Sequence, residues 1–330
     1  MADKLTFLQI GLGSMGKRRV RNLFANGEQN VVGLDFSAER RKEAEEKYGI
    51  KTFDNLNKIQ VENIDAVSIS TPPDKHGDYI RWALANKKHF FVELATTDDG
   101  YEEIRRLADK NSGIVMAPSC SFRFFLPIKM VKKFVDSGRI GKVLAFHHHA
   151  GQYLPEWHPW EDYRQIYFAK KETGAFRTMF LFELSWLNWL FGHQANVVFG
   201  FTDKISDLEL EMGAKDITWA YLKYQNKILG SLLIDVISRK PFRTLRVLGS
   251  DGVLEWEWLE NVIKIYDAKT KLTDNIDVPK GNSATGYLTA EDMYNDEMKA
   301  FVDAIYGRAP YPYTFEEDLR NLRTLYKLEE

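Results

Sequence analysis

The chain of 330 residues lacks the features that mark several large classes of protein. A single cysteine, Cys120, excludes an internal disulfide framework and a cysteine-ligated metal cluster, and it fits a reducing compartment. Neither sign of charge dominates: 45 Lys and Arg face 47 Asp and Glu, a formal net charge of −2. That balance supplies no footprint for nucleic acid or an anionic membrane, so neither is expected as a partner. Long apolar runs are missing too. The most apolar stretch, Met179–Phe191, is interrupted by Glu183, Ser185 and Asn188 and is too short to span a bilayer. Met1-Ala2-Asp3-Lys4 leads straight into the first apolar segment, so no signal peptide is expected and the cytoplasm is the expected address. There is no internal repeat and no low-complexity tract.

What is present is organised around Leu5–Asp35. An apolar segment, Leu5–Ile10, runs into Gly11-Leu12-Gly13-Ser14-Met15-Gly16, then a helical run to Asn26, then a second apolar segment, Asn30–Leu34, ending on Asp35. The order is strand, glycine turn, helix, strand, acid. Gly11 permits the tight turn, Gly13 lets backbone approach a pyrophosphate, and Gly16 lets the helix pack closely on the strand. The helix N-terminus offers N–H groups and partial positive charge to phosphates. Asp35, about 20 residues beyond the glycines, stands where a carboxylate accepts the hydroxyls of an adenosine ribose. The expected ligand is NAD, with NADP possible because Arg40 and Arg41 lie close by in sequence.

Strands and helices then alternate to about Ala117: a helix capped by Ser37, strand signals at Lys51–Phe53, Ile64–Ile69, His89–Val92 and Gly113–Ala117, and helices at Gly77–Asn86 and Gly100–Asn111. Alternation of this kind implies a doubly wound parallel sheet, with ligands at the carboxyl ends of its strands. There lie Ser70-Thr71-Pro72 with His76, and Glu93, which join Gly11, Leu12, Gly13, Ser14, Met15 and Asp35 as expected cofactor contacts.

The pattern changes after Pro118. A helix at Leu126–Ser137 leads to a strand at Lys142–Ala150, an aromatic-rich segment from Tyr153 to Phe168 and an apolar helix at Thr178–Phe191. Consecutive strands with short, turn-rich links run from Asn196 to Tyr266, which indicates an antiparallel sheet. Two helices close the chain. Lys271–Thr289, polar and glycine-containing, reads as a mobile loop. The fold class is therefore an α/β N-terminal Rossmann domain over residues 1–120, followed by an α+β domain over 121–330 with a large, mainly antiparallel open sheet. An open sheet leaves a face needing cover, so a homo-dimer or tetramer through it is expected.

The chain resembles the Gfo/Idh/MocA oxidoreductases, the glucose–fructose oxidoreductase and inositol dehydrogenase family. The carriers are the glycine turn, Ser70-Thr71-Pro72-Pro73-Asp74-Lys75-His76, Arg123-Phe124 before Pro127, Asp136-Ser137-Gly138-Arg139-Ile140-Gly141-Lys142-Val143, and Gly249-Ser250-Asp251-Gly252. The segment Gly151–Arg164 resembles a subgroup associated with bacterial surface-sugar pathways. The resemblance implies a nicotinamide cofactor and a sugar, polyol or nucleotide-sugar substrate.

The usual proton-transfer positions depart from that pattern. Family members usually carry Glu-Lys-Pro at the end of the fifth strand; here Glu93-Leu94-Ala95-Thr96 follows, with no lysine. Aligning back from Trp189-Leu190-Phe191-Gly192 puts Thr178 and Phe182 where the family has aspartate and histidine, and Ser185 where a further acid is common. Oxidising an alcohol by hydride transfer also requires removing the hydroxyl proton, and a positioned base contributes about 10²–10⁴-fold. Either other groups supply it, or the protein uses bound NAD for elimination or epimerisation, or it is a non-catalytic sensor like the corepressor in the family.

Three candidates for catalysis remain. Glu183 lies among Phe180, Phe182, Leu184 and Trp186, where an unpaired carboxylate is costly. It reads either as a structural ion pair, with Arg177 in reach if the segment is not one straight helix, or as a displaced acid/base. Tyr163 and His158 belong to the aromatic segment, where Tyr153, Trp157, Trp160 and Tyr163 supply flat faces and His158, Asp162 and Arg164 polar grips. That mixture suits a sugar or nucleotide-sugar, with an aromatic subunit interface as the lesser alternative. Arg123, Tyr153, Trp157, Arg164 and Arg177 are the expected substrate contacts. In His147-His148-His149, strand alternation sends His148 to one face and its neighbours to the other, so no metal site is expected. Cys120 reads as a packed side chain.

Overall fold

A computed structural model describes residues 4–108, 113–159, 161–192, 194–279, 281 and 291–330. The first strand, β1 (Thr6–Ile10), has Phe7, Leu8, Gln9 and Ile10 buried, as expected of a central parallel strand covered on both faces. After it come α1 (Ser14–Ala25), β2 (Asn30–Leu34), α2 (Ala38–Tyr48), β3 (Lys51–Phe53), β4 (Ala66–Ile69), α3 (His76–Ala85), β5 (His89–Val92), α4 (Tyr101–Ala108) and β6 (Met116–Pro118). Ser37 caps α2 by accepting from the Arg40 N–H, and the helix stops at Gly49 with φ +66°. The six strands pair in parallel in the order β3-β2-β1-β4-β5-β6. The order reverses direction between β1 and β4, so the ligand crevice of such a sheet opens beyond Ile10 and Ile69.

The second unit holds α5 (Leu126–Asp136), β7 (Val143–Gly151), α6 (Ala175–Phe191), β8 (Ala195–Asp203), β9 (Ile217–Tyr224), β10 (Leu229–Asp235), β11 (Phe242–Gly249), β12 (Gly252–Glu257), β13 (Val262–Asp267) and β14 (Thr273–Asp277). Its eight strands lie in the order β14-β13-β12-β11-β7-β10-β9-β8. Every pairing is antiparallel except β7 with β10, a long-range parallel match that turn-rich links cannot announce. Helix α6 packs on one face: Phe146 stacks on Phe191 at 4.5 Å, and Trp186 meets Trp256 edge-on at 6.3 Å. Strand β14 occupies part of the expected mobile loop, its backbone paired with β13, so Thr273–Asp277 is sheet edge. Residues 280 and 282–289 of that loop, and Trp160, lie outside the described residues.

The chain then returns to the first unit. Helix α7 (Asp292–Ile305) sends Met298, Phe301 and Val302 into the core with Phe7 and Phe91, the rings of Phe7 and Phe301 meeting edge-on at 6.4 Å. The first unit thus comprises residues 1–121 and 291–319, and the second 122–290 and 320–330, a division falling within α8 (Phe315–Glu329). A single boundary near residue 120 misses this return, because an amphipathic helix does not advertise which core its apolar face completes.

Candidate functional site

The glycine turn has three glycines with three different surroundings. Gly11 has φ +84°, and a Cβ there would lie 2.5 Å from the Ser70 carbonyl oxygen. A Cβ on Gly16 would lie 1.8 Å from the Gly11 carbonyl oxygen, so the start of α1 closes directly on the turn. Gly13 differs. Its φ of −68° suits any residue, and a Cβ would meet only the Arg40 guanidinium, at 3.8 Å. Gly13 is also the N-cap of α1, with no side-chain cap and no acid in the first turn. The space over Gly13, where α1 begins with Ser14 and Met15, therefore suits a phosphate in shape and in charge.

Asp35 closes the site on the adenosine side. Its Oδ2 accepts the Leu12 N–H at 2.8 Å and its Oδ1 the Ser37 N–H at 2.8 Å, which fixes the carboxylate in a nearly buried position. Arg40 stands 3.9 Å from Oδ2 and is half exposed. Arg41 instead donates to the carbonyls of Asp35 and Phe36. Beyond β4, the Ser70 N–H donates to Ile10 O at 2.8 Å, which joins the Ser70-Thr71-Pro72 turn to the glycine turn. His76 donates through Nε2 to Thr71 O at 2.9 Å, and burial holds its pKa below the usual value. The buried Thr71 Oγ1, His76 Nδ1 and Thr96 Oγ1 have no partner among the described residues.

Glu93 follows β5 and is anchored from beneath. Arg19, wholly buried on α1, reaches it through Nε at 2.6 Å and reaches Glu297 of α7 at 2.8 Å. Burial works against the Arg19 charge, but the two carboxylates more than offset it and raise its pKa. Glu297 also accepts from Ser119 and Ser121 at 3.0 and 2.7 Å. Helix α1 buries Arg18 and Asn22 as well as Arg19, so no local pattern singles out this network.

In the second unit, Glu183 is fully buried on the continuous helix α6. Arg243 donates to it at 2.6 Å, Trp186 Nε1 at 2.7 Å, and His148 meets it at 2.9 Å. Burial alone pushes its carboxyl up, but Arg243 and His148 outweigh that and bring it down to about 2. A carboxylate sealed among three donors and held ionised is a structural centre, not a proton shuttle. Arg177 is not its partner: it pairs with Glu329 at 3.0 Å and donates to Glu172 O at 2.7 Å, and is buried. Arg123 is buried as well, donating through Nη2 to Ser185 O at 3.0 Å. The surroundings of Arg123 and Arg177 suit anchors of α6 better than substrate grips. Within α6 only Thr178, Phe182 and Trp189 escape burial. Thr178 and Phe182 thus share a half-buried stripe at spacing i, i+4, and neither can titrate.

The aromatic segment is half open. Tyr163 accepts the Glu209 N–H at 3.0 Å through its hydroxyl. Arg164 pairs with Asp162 at 2.8 Å and Glu209 at 3.1 Å. His158 lies 3.4 Å from Glu161, and its burial lowers its pKa. Trp157 packs edge-on against Phe168 at 4.9 Å, with its indole N–H buried and unpartnered, and Arg239 lies over the Tyr153 ring at 3.9 Å. Beside the segment is a cavity of about 500 Å³, lined by Arg164, Gln165, Lys170, Glu209 and Glu211 among others. His147 and His149 face outward, and His149 pairs with Asp235 at 2.8 Å. Among the described residues, no group of His, Cys, Asp and Glu is placed to hold a metal ion.

Two family models match, one described as the oxidoreductase family NAD-binding Rossmann fold over residues 5–118, the other as the GFO/IDH/MocA C-terminal domain over residues 128–255. The chain belongs to the Gfo/Idh/MocA oxidoreductase family. The family is enzymatic, and the Rossmann domain of this chain is NAD-binding. Myo-inositol 2-dehydrogenase of Thermotoga maritima is 24% identical over 91% of this chain and 88% of its own length. An oxidoreductase from Agrobacterium radiobacter, solved with NAD+, L-tartaric acid and magnesium, superposes with a TM-score of 0.85 at 14% identity, over 98% of this chain and 95% of that one. UDP-N-acetylglucosamine 3-dehydrogenase of Acidithiobacillus ferrooxidans gives 0.77 at 17% identity, over 99% and 97%. For a Gfo/Idh/MocA member, the open space at Gly13 and the fixed Asp35 carboxylate are the parts that fit NAD: Gly11–Met15 would hold its pyrophosphate and Asp35 its adenosine ribose.

Proposed function

We propose that this protein is an NAD-dependent dehydrogenase of a sugar, polyol or nucleotide-sugar, acting in the cytoplasm in bacterial surface-sugar metabolism. The observation that carries the reading is the site at Gly13, open to a phosphate and flanked by an acid fixed for the ribose. The dehydrogenases among its relatives support the substrate class. NAD, when bound, supplies the hydride acceptor; the chain must supply the proton acceptor. Glu183 is sealed, and Thr178 and Phe182 cannot titrate, so Tyr163 and His158 of the aromatic segment are the assigned proton-transfer residues, with Tyr153, Trp157 and Arg164 as substrate contacts. Tyr163, its hydroxyl held by the Glu209 N–H, is favoured over His158, which is half-buried beside Glu161. Incubating the protein with NAD and panels of inositols, sugars and nucleotide-sugars, while following NADH absorbance, tests the reading. No reduction across the panels, with NAD binding intact, would count against it.

A second reading is favoured by one observation, the absence of a titratable group on the half-buried stripe of α6. NAD is then retained without net turnover, for elimination or epimerisation or as a sensed ligand. NAD that copurifies and is never consumed would support it. In either reading the outer sheet face, where Phe199 is 63% exposed and Tyr221 46%, suits contact with a second copy of the chain, giving a dimer or tetramer.

A further inference from the structure

Glu297 is a carboxylate wholly buried on α7, far in sequence from the residues that fit the dinucleotide. A buried charge is costly unless it is paired and hydrogen-bonded. Its neutral donors are the Ser119 and Ser121 hydroxyls and the Cys120 N–H. Its cation is Arg19, equally buried, which also grips Glu93 through Nε at 2.6 Å and Nη2 at 3.0 Å. Among the described residues no other cation pairs with either carboxylate. Arg18, next along α1, is taken by Glu291 at 3.0 Å. His76 senses Glu93, but burial holds its pKa below the usual value, so it brings no charge at neutral pH. One guanidinium thus serves two carboxylates, and the cluster keeps one formal negative charge in excess.

Of these three groups only Glu93 meets solvent, with 15% of its side chain exposed. Its N–H donates to Ile69 O at 3.0 Å, and its carboxylate accepts from the Ser70 hydroxyl at 3.3 Å. Strand order decides which part of a dinucleotide passes it. Asp35 follows β2 and the glycine turn follows β1, so a ligand with its adenosine at Asp35 and its pyrophosphate at Gly13 continues toward β4 and β5. From β2 to β5 is three strand spacings, roughly 14 Å, a span that an extended dinucleotide covers. The half that arrives there is the half that changes charge: the nicotinamide ring is positive in NAD+ and neutral in NADH. Resting on the NAD-site reading, we propose that Glu297 and Glu93, sharing Arg19, form a fixed negative charge that biases the bound cofactor toward NAD+ over NADH. Glu297 acts through Arg19 and is a positioning residue. It offsets the guanidinium, so that the charge of Glu93 is not cancelled at the crevice. The bias loads the protein with NAD+ and favours release of NADH, which suits the oxidation of an alcohol.

The test measures dissociation constants of NAD+, NADH and ADP-ribose for the wild type, Glu93→Gln and Glu297→Gln by calorimetry, with a thermal melt of each. Loss of one charge at this range predicts that each variant weakens NAD+ relative to NADH about tenfold, while ADP-ribose, which has no nicotinamide, binds as in the wild type. A merely structural role would change both redox forms alike and leave their ratio unmoved. An unchanged NAD+/NADH ratio in Glu93→Gln, or an equal loss for both forms, overturns the proposal. A folded Glu297→Gln with the wild-type ratio overturns the part assigned to Glu297. If Glu297→Gln does not fold, the ratio in Glu93→Gln decides alone. A wild type that binds none of the three ligands defeats the NAD site itself, a distinct outcome.

Discussion

Substituting the three glycines of the turn one at a time should separate binding from folding. Gly13→Val places its side chain where only Arg40 stands within 4 Å, on backbone that valine tolerates. The cost to the fold is that of a poorer helix cap, about 1 kcal/mol or less. The cost to the cofactor is its phosphate space, so NAD binding should be lost. Gly16→Ala forces its methyl to within 1.8 Å of a backbone oxygen, and Gly11→Ala meets a carbonyl at 2.5 Å with φ at +84°. Overpacking of this kind costs about 1–3 kcal/mol or more. Thermal melting with and without NAD reads both effects. At a cofactor concentration about 100 times the dissociation constant, the wild type gains about 2.7 kcal/mol, or roughly 5–10 °C. Gly13→Val should melt within a few degrees of the wild type and show no gain with NAD. Gly11→Ala and Gly16→Ala should melt well below it. A full NAD-dependent gain in Gly13→Val, or melting of that variant as low as Gly16→Ala, would refute the reasoning.

Further outcomes are expected. NAD should bind more tightly than NADP, because Asp35 repels a 2′-phosphate; Arg40→Ala should weaken NADP more than NAD, since Arg41 is committed to carbonyls, and tighter NADP binding in direct titration would oppose this. Tyr163→Phe should keep NAD affinity and lower the single-turnover rate roughly 10²-fold on an identified substrate, whereas an unchanged rate removes Tyr163 from the chemistry. The Glu183 carboxyl, held near 2 in the folded chain against an ordinary 4.5, adds stability present above about 4.5 and lost as pH falls toward 2. Urea melts across that window should show this loss in the wild type and a weaker dependence in Glu183→Gln. Arg243→Ala, which leaves that carboxylate without its closest cation, should cost about 3–5 kcal/mol by chemical denaturation.

The Rossmann unit was legible because its signals are local. A glycine turn, a helix and an acid some 20 residues on are fixed by short-range geometry, and alternation announces a parallel, doubly wound sheet without the order β3-β2-β1-β4-β5-β6 that its strands take. The return of α7 was not legible, since Met298 and Phe301 would serve any apolar core. Within the second unit the strands were readable from their alternation, and the separation of His148 from its neighbours with them. Their pairing was not. Arg243 reaches Glu183 because β11 lies beside β7 with Arg243 opposite Ala150 and Leu245 opposite His148. That register brings together groups 60 and 35 residues from Glu183, and no local pattern encodes it.

The same contrast explains why the cofactor half of the site is better defined than the reacting half. Helical spacing places Thr178 and Phe182 on one stripe, and the structure leaves that stripe half-buried while sealing Glu183 immediately beside Phe182. A one-residue step along a helix turns a side chain by about 100°, enough to move it from an open face into the core. The carboxylate nearest in sequence to the vacant histidine position is thus the one least able to replace it, and the Arg243 and His148 donors that stabilise it also hold its charge against protonation. We place the proton acceptor of the proposed reaction in a segment whose conformation is set by loop contacts such as Tyr163 with Glu209 and Arg164 with Asp162. Loops carry reactive groups on a rigid scaffold without periodic signatures. The family pattern therefore transfers to the dinucleotide, and the proton must be located by substitution.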